Sequence, residues 1–226
     1  MSYKAVLFDL DGTLLDTLDD LGDSMNAVLA ARGYPTHPIR SYTSFVGDGV
    51  QNLVRRSLPA DAGHDDDVVN ELVPLMRSEY SRRWTAKTRP YDGIPELLDG
   101  LSARGLRMAV LSNKPHSATL EVVAHFFPRW KFYATLGARP DVPMKPDASA
   151  ALEVCRKLDV APEGFLYLGD TNTDMLTARS AGMFAVGVLW GFRTSEELLS
   201  SGAQAVVASP RDVLTLLDRS GSATGG

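Results

Sequence analysis

The feature of this sequence that most constrains its fold is a series of short apolar runs that alternate with stretches of helical spacing. The runs occupy residues 4–8, 107–111, 132–136, 165–168, 184–188 and 205–207. Between most of them the apolar spacing predicts helices, over 95–103, 117–127, 148–158, 173–181 and 212–217. Short continuous apolar runs are typical of strands that are buried on both faces. The alternation therefore predicts an α/β fold with a Rossmann-like three-layer core, in which helices cover both faces of a central parallel sheet.

One region lacks this alternation. Between about residue 16 and residue 88 the spacing predicts only helices, over 18–32, 48–58 and 66–84, and Pro74 is expected to kink or split the third. We therefore expect a core domain of residues 1–15 and 89–220, an inserted all-helical cap domain of residues 16–88, and a flexible tail of residues 221–226. Because ligands of parallel sheets bind beyond the carboxyl ends of the strands, an insertion after the first strand is placed to act as a lid.

Composition argues against several classes of function. The 23 basic and 28 acidic residues give a formal net charge of −5, which disfavours binding to nucleic acid or to anionic membranes. No segment approaches the ~20 apolar residues of a membrane span, and the first apolar run is too short for a secretory signal. Cys155 is the only cysteine, so no intrachain disulfide forms, and its helical context predicts a packing role. We expect a cytoplasmic protein, with a monomer as the default.

Two carboxylates leave the first predicted strand together. Asp9 and Asp11 end the run, and Gly12 and Thr13 follow at once. Carboxylates so close repel each other unless a cation joins them, and carboxylate oxygens suit Mg²⁺. Gly12 permits the tight turn that such convergence needs. Taken alone, however, an Asp-Gly pair is also a common turn whose carboxylates cap the next helix.

Polar residues also follow three later runs: Ser112 and Asn113, Lys145, and Asp170 with Asp174. Together with the first pair they suit phosphoryl transfer. One carboxylate serves as nucleophile, and a metal ion and an ammonium offset negative charge. A hydroxyl and backbone amides hold phosphoryl oxygens, and a second carboxyl acts as acid and base. Seen alone, Lys145 would be interpreted as a solvated surface lysine.

The segments LFDLDGTLLDT, VLSNKP, MKPDAS and YLGDTNTD, in this order, resemble the four motifs of the haloacid dehalogenase superfamily. The resemblance spans nearly the whole chain, as far as FAVGVLWGFRTSEEL. Within the superfamily the chain resembles the phosphoglycolate phosphatase-like members, in which a helical cap is inserted after the first strand. The resemblance implies a Mg²⁺-dependent phosphatase that hydrolyses small phosphate monoesters through a phospho-aspartate intermediate.

The resemblance also implies roles for individual residues. Asp9 would be the nucleophile and a Mg²⁺ ligand. Asp11 would be the general acid and base and would touch the metal through its carbonyl. Ser112 would bind the transferring phosphoryl group, and Lys145 would neutralise Asp9 and phosphate. The implied metal-binding residues are Asp9, Asp11, Asp170 and Asp174, with Asp174 bound directly or through water; the residues implied beside the phosphate are Gly12, Thr13, Ser112, Asn113 and Lys145.

In the predicted cap, the segment SFVGDGVQNL resembles the glycine-containing cap loop of the same group. Gly47, Asp48 and Gly49 would bend the backbone towards the substrate and begin a helix with free amides, which is a candidate anion site. Asp48 is equally well interpreted as a helix N-cap. Arg55 would reach a substrate carboxylate with its planar, bidentate guanidinium.

Several alternatives remain open at this point. Phosphoglycolate is the first candidate substrate, but relatives with much the same core motifs use N-acetylmuramic acid 6-phosphate, nucleoside monophosphates, sugar phosphates or pyrophosphate. A mutase resembling the β-phosphoglucomutases competes with a phosphatase, although such mutases usually carry Glu-Asp where this chain has Gly169 and Asp170. The hydrolytic dehalogenases lack an aspartate at the position of Asp11. A non-enzymatic phosphate-binding regulator is the remaining alternative.

Overall fold

The computed structural model describes residues 3–222 and divides them into two compact units. One unit runs up to Leu14 and resumes at Pro90, and the other comprises Leu15–Arg89. The chain passes between them through two short strands that pair as a two-stranded sheet. In chain order the strands are β1 (Ala5–Phe8), β2 (Leu15–Asp16), β3 (Arg89–Pro90), β4 (Arg107–Pro115), β5 (Phe132–Ala138), β6 (Phe165–Gly169), β7 (Phe184–Val188) and β8 (Ala205–Val207).

The first unit contains a six-stranded parallel sheet in the order β5-β4-β1-β6-β7-β8. The central strand β1 lies between β4 and β6, and Phe8 at its carboxyl end pairs with Val110 and with Leu168. Every residue of β1 and β6 is buried, as expected of strands covered on both faces. The predicted α/β fold with a parallel sheet is therefore confirmed, and three strand ends meet at one edge.

The helices of this unit follow the predicted alternation with small changes in their bounds. Apolar residues of α7 and α8 face the sheet, and Cys155 packs there, where burial raises the pKa of its thiol to about 11. The last helix continues to Ser222, so residues 221 and 222 do not belong to a tail, because each further residue adds a main-chain hydrogen bond to a helix already begun. Residues 223–226 of the predicted tail lie outside the described residues. The helices are α5 (Ile94–Ala103), α6 (His116–Phe126), α7 (Ser149–Leu158), α8 (Asn172–Ala181), α9 (Ser195–Ser200) and α10 (Pro210–Ser222).

Strand β4 extends four residues beyond its apolar run, to Pro115, where it still pairs with Ala138 of β5. The register shifts between Leu111 and Pro115, which marks an irregular stretch. Ser112 and Asn113 therefore lie inside the strand and are buried there. Their polar groups have hydrogen-bonding partners, which makes their burial tolerable.

The second unit is helical between its two short flanking strands. Its core is formed by apolar residues of α1 and α4, among them Met25, Leu29 and Leu72. Pro74 lies within α4 and does not split it, although the proline lacks an N–H for the helical ladder. The helices of this unit are α1 (Leu18–Ala31), α2 (Val50–Ser57), α3 (Ala60–Gly63) and α4 (Asp66–Arg83), with a 3₁₀ helix at Ile39–Ser44.

No helix within residues 3–222 has the length and apolar character needed to cross a membrane.

Candidate active site

The sheet edge that carries the carboxyl ends of β1, β4 and β6 gathers the predicted site residues of the first unit. Asp9 follows β1, Ser112 lies in the last part of β4, and Asp170 follows β6. Asp174 lies in the first turn of α8, and Lys145 lies between β5 and α7. This arrangement follows from the topology, because parallel strands deliver their carboxyl ends to the same edge.

Lys145 joins two of the carboxylates. Its Nζ lies 2.7 Å from Asp9 Oδ1 and 2.7 Å from Asp174 Oδ1, and it also donates to the main-chain oxygen of Leu111 at 3.2 Å. The Lys145 side chain is only 2% exposed. Burial works against its charged form, but the two carboxylates outweigh this effect and raise its pKa well above the usual range. Lys145 is therefore a buried cation and not the solvated lysine that its sequence context alone would suggest.

Asn113 positions Lys145. Its side-chain oxygen accepts a hydrogen bond from the Lys145 N–H at 2.9 Å, and its side-chain nitrogen donates to the Lys145 main-chain oxygen at 3.1 Å. The amide of Asn113 is thus bound at both ends to the main chain that presents the ammonium. Phosphate binding by Asn113 stays a prediction.

Three buried carboxylates, Asp9, Asp170 and Asp174, each offer an oxygen within 4.8 Å of the others. The pKa of Asp9 is raised to about 7; burial is the largest cause, the charge of Asp174 adds to it, and Lys145 opposes it. Burial, followed by the charges of Asp174 and Asp9, also raises the pKa of Asp170 well above its usual range. Since the ammonium of Lys145 contacts two of the three carboxylates, the ionised group carries surplus negative charge, and a hard divalent cation with oxygen ligands fits it.

Asp170 is fixed by the turn that follows β1. Thr13 Oγ1 donates to Asp170 Oδ1 at 2.9 Å, and the N–H of Phe192 donates to Asp170 Oδ2 at 2.9 Å. Gly12 has φ +88°, and a Cβ at this position would overlap the Asp170 carboxylate. The side chain of Thr13 therefore serves Asp170, and the contacts of Gly12 and Thr13 with phosphate stay predictions.

Both oxygens of Asp174 accept hydrogen bonds from the protein. Oδ1 accepts from Lys145 and from the hydroxyl of Tyr167 at 3.2 Å, and Oδ2 accepts from Thr171 Oγ1 at 2.6 Å and from the Thr171 N–H at 3.1 Å. The contacts with Thr171 form a capping box at the start of α8. Burial is the largest cause that raises the pKa of Tyr167 well above its usual range, which keeps its hydroxyl a donor. Asp174 thus orients Lys145.

Asp9 differs from these carboxylates in one respect. Its Oδ1 accepts the hydrogen bond from Lys145, whereas no residue within 3–222 donates a hydrogen bond to its Oδ2. Ser112 Oγ accepts a hydrogen bond from the Lys114 N–H at 3.1 Å and contributes a hydroxyl from the neighbouring strand. The site thus combines one uncommitted carboxylate oxygen with a fixed ammonium and a hydroxyl.

Asp11 lies outside the three-carboxylate group. The Nζ of Lys114 lies 2.9 Å from its Oδ1 and 2.8 Å from its Oδ2. Lys114 was not among the predicted site residues, although it lies two residues after Ser112, a position that could have identified it. The structure therefore pairs a second lysine with a carboxylate at this edge, in addition to the predicted Lys145.

The segment after β7, which was not among the predicted site residues, also contacts the site. Trp190 Nε1 donates to the main-chain oxygen of Thr13 at 2.9 Å, and Phe192 contacts Asp170 through its main chain. A Cβ on Gly191 would overlap both Asp170 and the Gly12 oxygen. A glycine between two aromatic residues directly after a buried strand is the local signal for this close approach.

The predicted substrate-binding residues of the second unit have partners within that unit. Arg55 donates to the main-chain oxygen of Gly63 at 2.7 Å and to Asp66 Oδ1 at 2.6 Å. Its contact with substrate stays a prediction. So do those of Gly47, Asp48 and Gly49, whose glycines have φ of +114° and +84°.

The alternative interpretation of Asp48 as a helix N-cap is wrong. Helix α2 begins at Val50, and Gly49 occupies the N-cap position with no side-chain cap. The Asp48 carboxylate is instead paired with Arg56 at 2.5 Å. The cause is the conformation of Gly49, whose positive φ sets the start of the helix one residue beyond Asp48.

Comparison with known proteins gives consistent similarities. A family model described as haloacid dehalogenase-like hydrolase matches residues 6–188. The chain is 32% identical over 224 residues to a phosphoglycolate phosphatase of Nitrosospira multiformis, covering 97% of this chain and 98% of that relative. It is 31% identical over 220 residues to an N-acetylmuramic acid 6-phosphate phosphatase of Pseudomonas aeruginosa, covering 97% and 96%. A crystal structure from Lactobacillus delbrueckii subsp. bulgaricus, 29% identical, superposes with a TM-score of 0.90 over 96% of this chain and 99% of its own.

Proposed function

Because the chain belongs to the haloacid dehalogenase-like hydrolase family, we propose that this phosphatase is Mg²⁺-dependent and hydrolyses small phosphate monoesters through a phospho-aspartate on Asp9. The observation that carries the proposal is the unequal engagement of the two Asp9 oxygens. Oδ1 is held by Lys145, whereas Oδ2 accepts no hydrogen bond from any residue within 3–222. An oxygen without a donor keeps its lone pairs for attack on phosphorus.

In the first step Asp9 Oδ2 attacks the phosphorus, the new O–P bond forms, and the bond from phosphorus to the ester oxygen breaks. Asp11 donates a proton to the departing alkoxide. Lys145 holds Asp9 in place and offsets the negative charge that the carboxylate and the phosphoryl group bring together. The Ser112 hydroxyl and the adjacent main-chain N–H groups bind the non-bridging oxygens.

In the second step a water molecule attacks the phosphorus of the phospho-aspartate. Asp11, now ionised, takes the proton from this water, and the bond between Asp9 Oδ2 and phosphorus breaks. Inorganic phosphate leaves, and Asp9 and Asp11 return to their initial states. The same carboxyl thus serves first as acid and then as base, which requires it to reach both the ester oxygen and the attacking water.

Asp9 and Asp170 would hold the metal, together with the main-chain carbonyl of Asp11. Asp174 would act through water, because each of its oxygens already accepts from two protein donors, whereas each oxygen of Asp170 accepts from one. The raised pKa of Asp9 and of Asp170 supports this assignment, since buried carboxylates that resist ionisation are stabilised by a nearby cation. When bound, Mg²⁺ supplies positive charge that offsets the charge of the carboxylates and the phosphate.

Phosphoglycolate is the first candidate substrate, because a phosphoglycolate phosphatase matches over nearly the whole chain. The similarity to an N-acetylmuramic acid 6-phosphate phosphatase supports N-acetylmuramic acid 6-phosphate as a second candidate substrate. Both compounds are phosphate monoesters of an alcohol that also carries a carboxylate. The mutase alternative is disfavoured by Gly169, where a Cβ would overlap Asp174, so the glutamate usual in those mutases has no room here.

The roles of the second unit also belong to this proposal. The unit Leu15–Arg89 would be the cap that selects the leaving group, with Gly47, Asp48, Gly49 and Arg55 as its candidate contacts. A cytoplasmic location and a monomeric state are parts of the same prediction.

Phosphate release from a panel of monoesters tests the proposal. The panel contains phosphoglycolate, N-acetylmuramic acid 6-phosphate, a nucleoside monophosphate and a sugar phosphate, each assayed with Mg²⁺ and with a chelator. Asp9→Asn keeps the size of the side chain and removes the nucleophile, so we expect activity to be lost. Asp147→Asn, at an exposed aspartate outside the site, is the matched control. Phosphate release that persists in Asp9→Asn, or that is unchanged by the chelator, would contradict the mechanism.

A further inference from the structure

Lys114 is a nearly buried cation of the site that the proposed mechanism does not use. Its side chain is 6% exposed, and its Nζ binds both carboxylate oxygens of Asp11 at 2.9 and 2.8 Å. Its main-chain N–H donates to Ser112 Oγ at 3.1 Å. Lys114 therefore lies next to both the proposed acid and base and the proposed phosphoryl-binding hydroxyl.

The charges in the two lysine clusters are distributed differently. Lys145 contacts two carboxylates, Asp9 and Asp174, and a third lies close by. Lys114 forms an ion pair with Asp11. Negative charge is thus in excess around Lys145, where a metal cation would compensate it. The countercharge of Lys114 includes the Asp11 carboxylate, so a change in the contacts of Asp11 alters the charge balance there.

Turnover brings the ester oxygen of the substrate to Asp11. To protonate the leaving alkoxide, an oxygen of Asp11 must come within about 2.6–3.2 Å of the ester oxygen. Both Asp11 oxygens are bound by Lys114 in this structure. At least one of these oxygens must therefore also face the ester oxygen when substrate binds, and Lys114 then shares it. A nearly buried ammonium that loses part of its countercharge is destabilised unless another anion replaces it.

We propose that Lys114 binds a second anionic group of the substrate, carried on the leaving alcohol close to the ester oxygen, and so selects phosphate monoesters of small carboxylic acids. This inference rests on the proposed phosphatase function with Asp11 as the acid. Two hydrogen bonds joined through the Asp11 carboxylate place the Lys114 Nζ roughly 5 to 7 Å from the ester oxygen. A carboxylate attached one carbon away from that oxygen lies between the two.

Neutral leaving groups should be disfavoured for the same reason. A site that pairs a charged group of its preferred substrate is left with an unpaired charge when an analogue lacks that group, and it discriminates strongly against the analogue. Lys114 would thus set specificity on the leaving-group side, while Lys145 acts on the phosphoryl side.

The test compares two substrates of the same shape. Values of kcat/KM are measured with Mg²⁺ for phosphoglycolate and for its neutral amide, glycolamide phosphate, in the wild type, Lys114→Met, Lys114→Arg and the exposed control Lys157→Met. We expect the wild type and Lys157→Met to prefer the carboxylate by about 10- to 100-fold. Lys114→Met should bring this ratio to within about threefold of unity, mainly through KM, and Lys114→Arg should retain most of it because it keeps the cation.

The ratio separates specificity from an indirect role. Any loss that Lys114→Met causes through misplacement of Asp11 affects both substrates and cancels in the ratio. Equal losses with an unchanged ratio would overturn the inference, and so would a wild type that does not discriminate between the two substrates.

Binding without turnover separates this inference from the proposed function. Calorimetry with Mg²⁺ measures the affinity for 3-phosphonopropionate and for its neutral amide, neither of which can be hydrolysed. A preference for the carboxylate that Lys114→Met removes supports the inference even if no phosphate ester is hydrolysed. Equal affinities in the wild type would overturn it even if the enzyme proves to be a phosphatase.

Discussion

The side-chain amide of Asn113 binds both main-chain polar groups of Lys145, at 2.9 and 3.1 Å. The two residues are 32 positions apart in the chain, and both are buried. The pair determines where the ammonium of Lys145 lies, and this ammonium in turn holds Asp9 and Asp174. A residue that follows the proposed phosphoryl-binding serine thus sets the position of the cation opposite the proposed nucleophile.

We expect Asn113→Ala to lower kcat about 10- to 100-fold, because a displacement of the Lys145 ammonium by about 1 Å misaligns Asp9. It should also lower the free energy of unfolding by about 1–3 kcal/mol, since a buried N–H and carbonyl lose their partner. Steady-state kinetics and denaturant unfolding measure the two effects. Asn70→Ala, at an exposed contact with Gln51, is the control and should stay within about 0.5 kcal/mol. An unchanged kcat in Asn113→Ala would contradict the positioning role.

Gly12→Ala should disrupt the Asp170 side of the site. The added Cβ would overlap the Asp170 carboxylate at a residue whose φ is +88°. We expect a loss of about 2–4 kcal/mol in the free energy of unfolding, together with weaker Mg²⁺ binding by calorimetry. Gly105→Ala is the matched control, because its φ is +68° and nothing lies within 4 Å of a Cβ there. Its free energy of unfolding should fall by only about 1–2 kcal/mol, from backbone strain, and its Mg²⁺ affinity should not change. Equal effects of the two substitutions would show that overlap with Asp170 is unimportant.

The stability of the metal-free protein should fall as pH rises through the titration of Asp9. The unfolded carboxyl ionises near pH 3.8 and the folded one near pH 7, so between these values the native state holds a proton that the unfolded chain has released. The contribution of Asp9 is therefore fully present below pH 3.8 and is lost as pH rises through about 7. Its size is on the order of a few kcal/mol.

Saturating Mg²⁺ should reduce this loss, because it favours the ionised carboxylate and competes with protons for it. Denaturant midpoints at pH 5 and pH 8, with chelator and with Mg²⁺, measure the effect. Asp9→Asn removes the titrating group, so the difference between wild type and this variant isolates Asp9. A wild-type protein that gains stability relative to Asp9→Asn as pH rises without metal would contradict the prediction.

Lys145→Met should strongly destabilise the protein near neutral pH. The substitution leaves the buried carboxylates of Asp9 and Asp174 without their ammonium, which we expect to cost about 3–5 kcal/mol. The loss should shrink at pH 5, where Asp9 is protonated. Lys157→Met removes an exposed ion pair with Glu153 and is the control, with an expected change below about 0.5 kcal/mol. Thermal unfolding at both pH values tests this, and a loss that is independent of pH would argue against the buried-charge explanation.

The places of the long elements could be predicted from sequence because their signals are local. Strands β7 and β8 have the predicted bounds, and α1, α4 and α7 begin or end within one residue of them. The short elements were missed for the same reason: α3 has four residues and α9 has six, which is too few to show a helical period. The end of β4 was placed too early, because polar residues interrupt its apolar run while the strand continues.

Which residues meet at the sheet edge could also be anticipated. The sequence determined that polar groups follow β1, β4 and β6, since parallel strands must deliver their carboxyl ends together. It also determined the Gly-Thr turn after β1, because turn chemistry depends on adjacent residues.

Only the tertiary structure decided how the charges pair. Lys114 binds Asp11 across 103 positions of the chain, and Lys145 binds Asp9 across 136. No local pattern distinguishes these pairings from the reverse. Coulombic attraction and desolvation depend on distance and burial in space, so the pairing of each lysine and the raised pKa of Asp9 exist only once the strands have assembled.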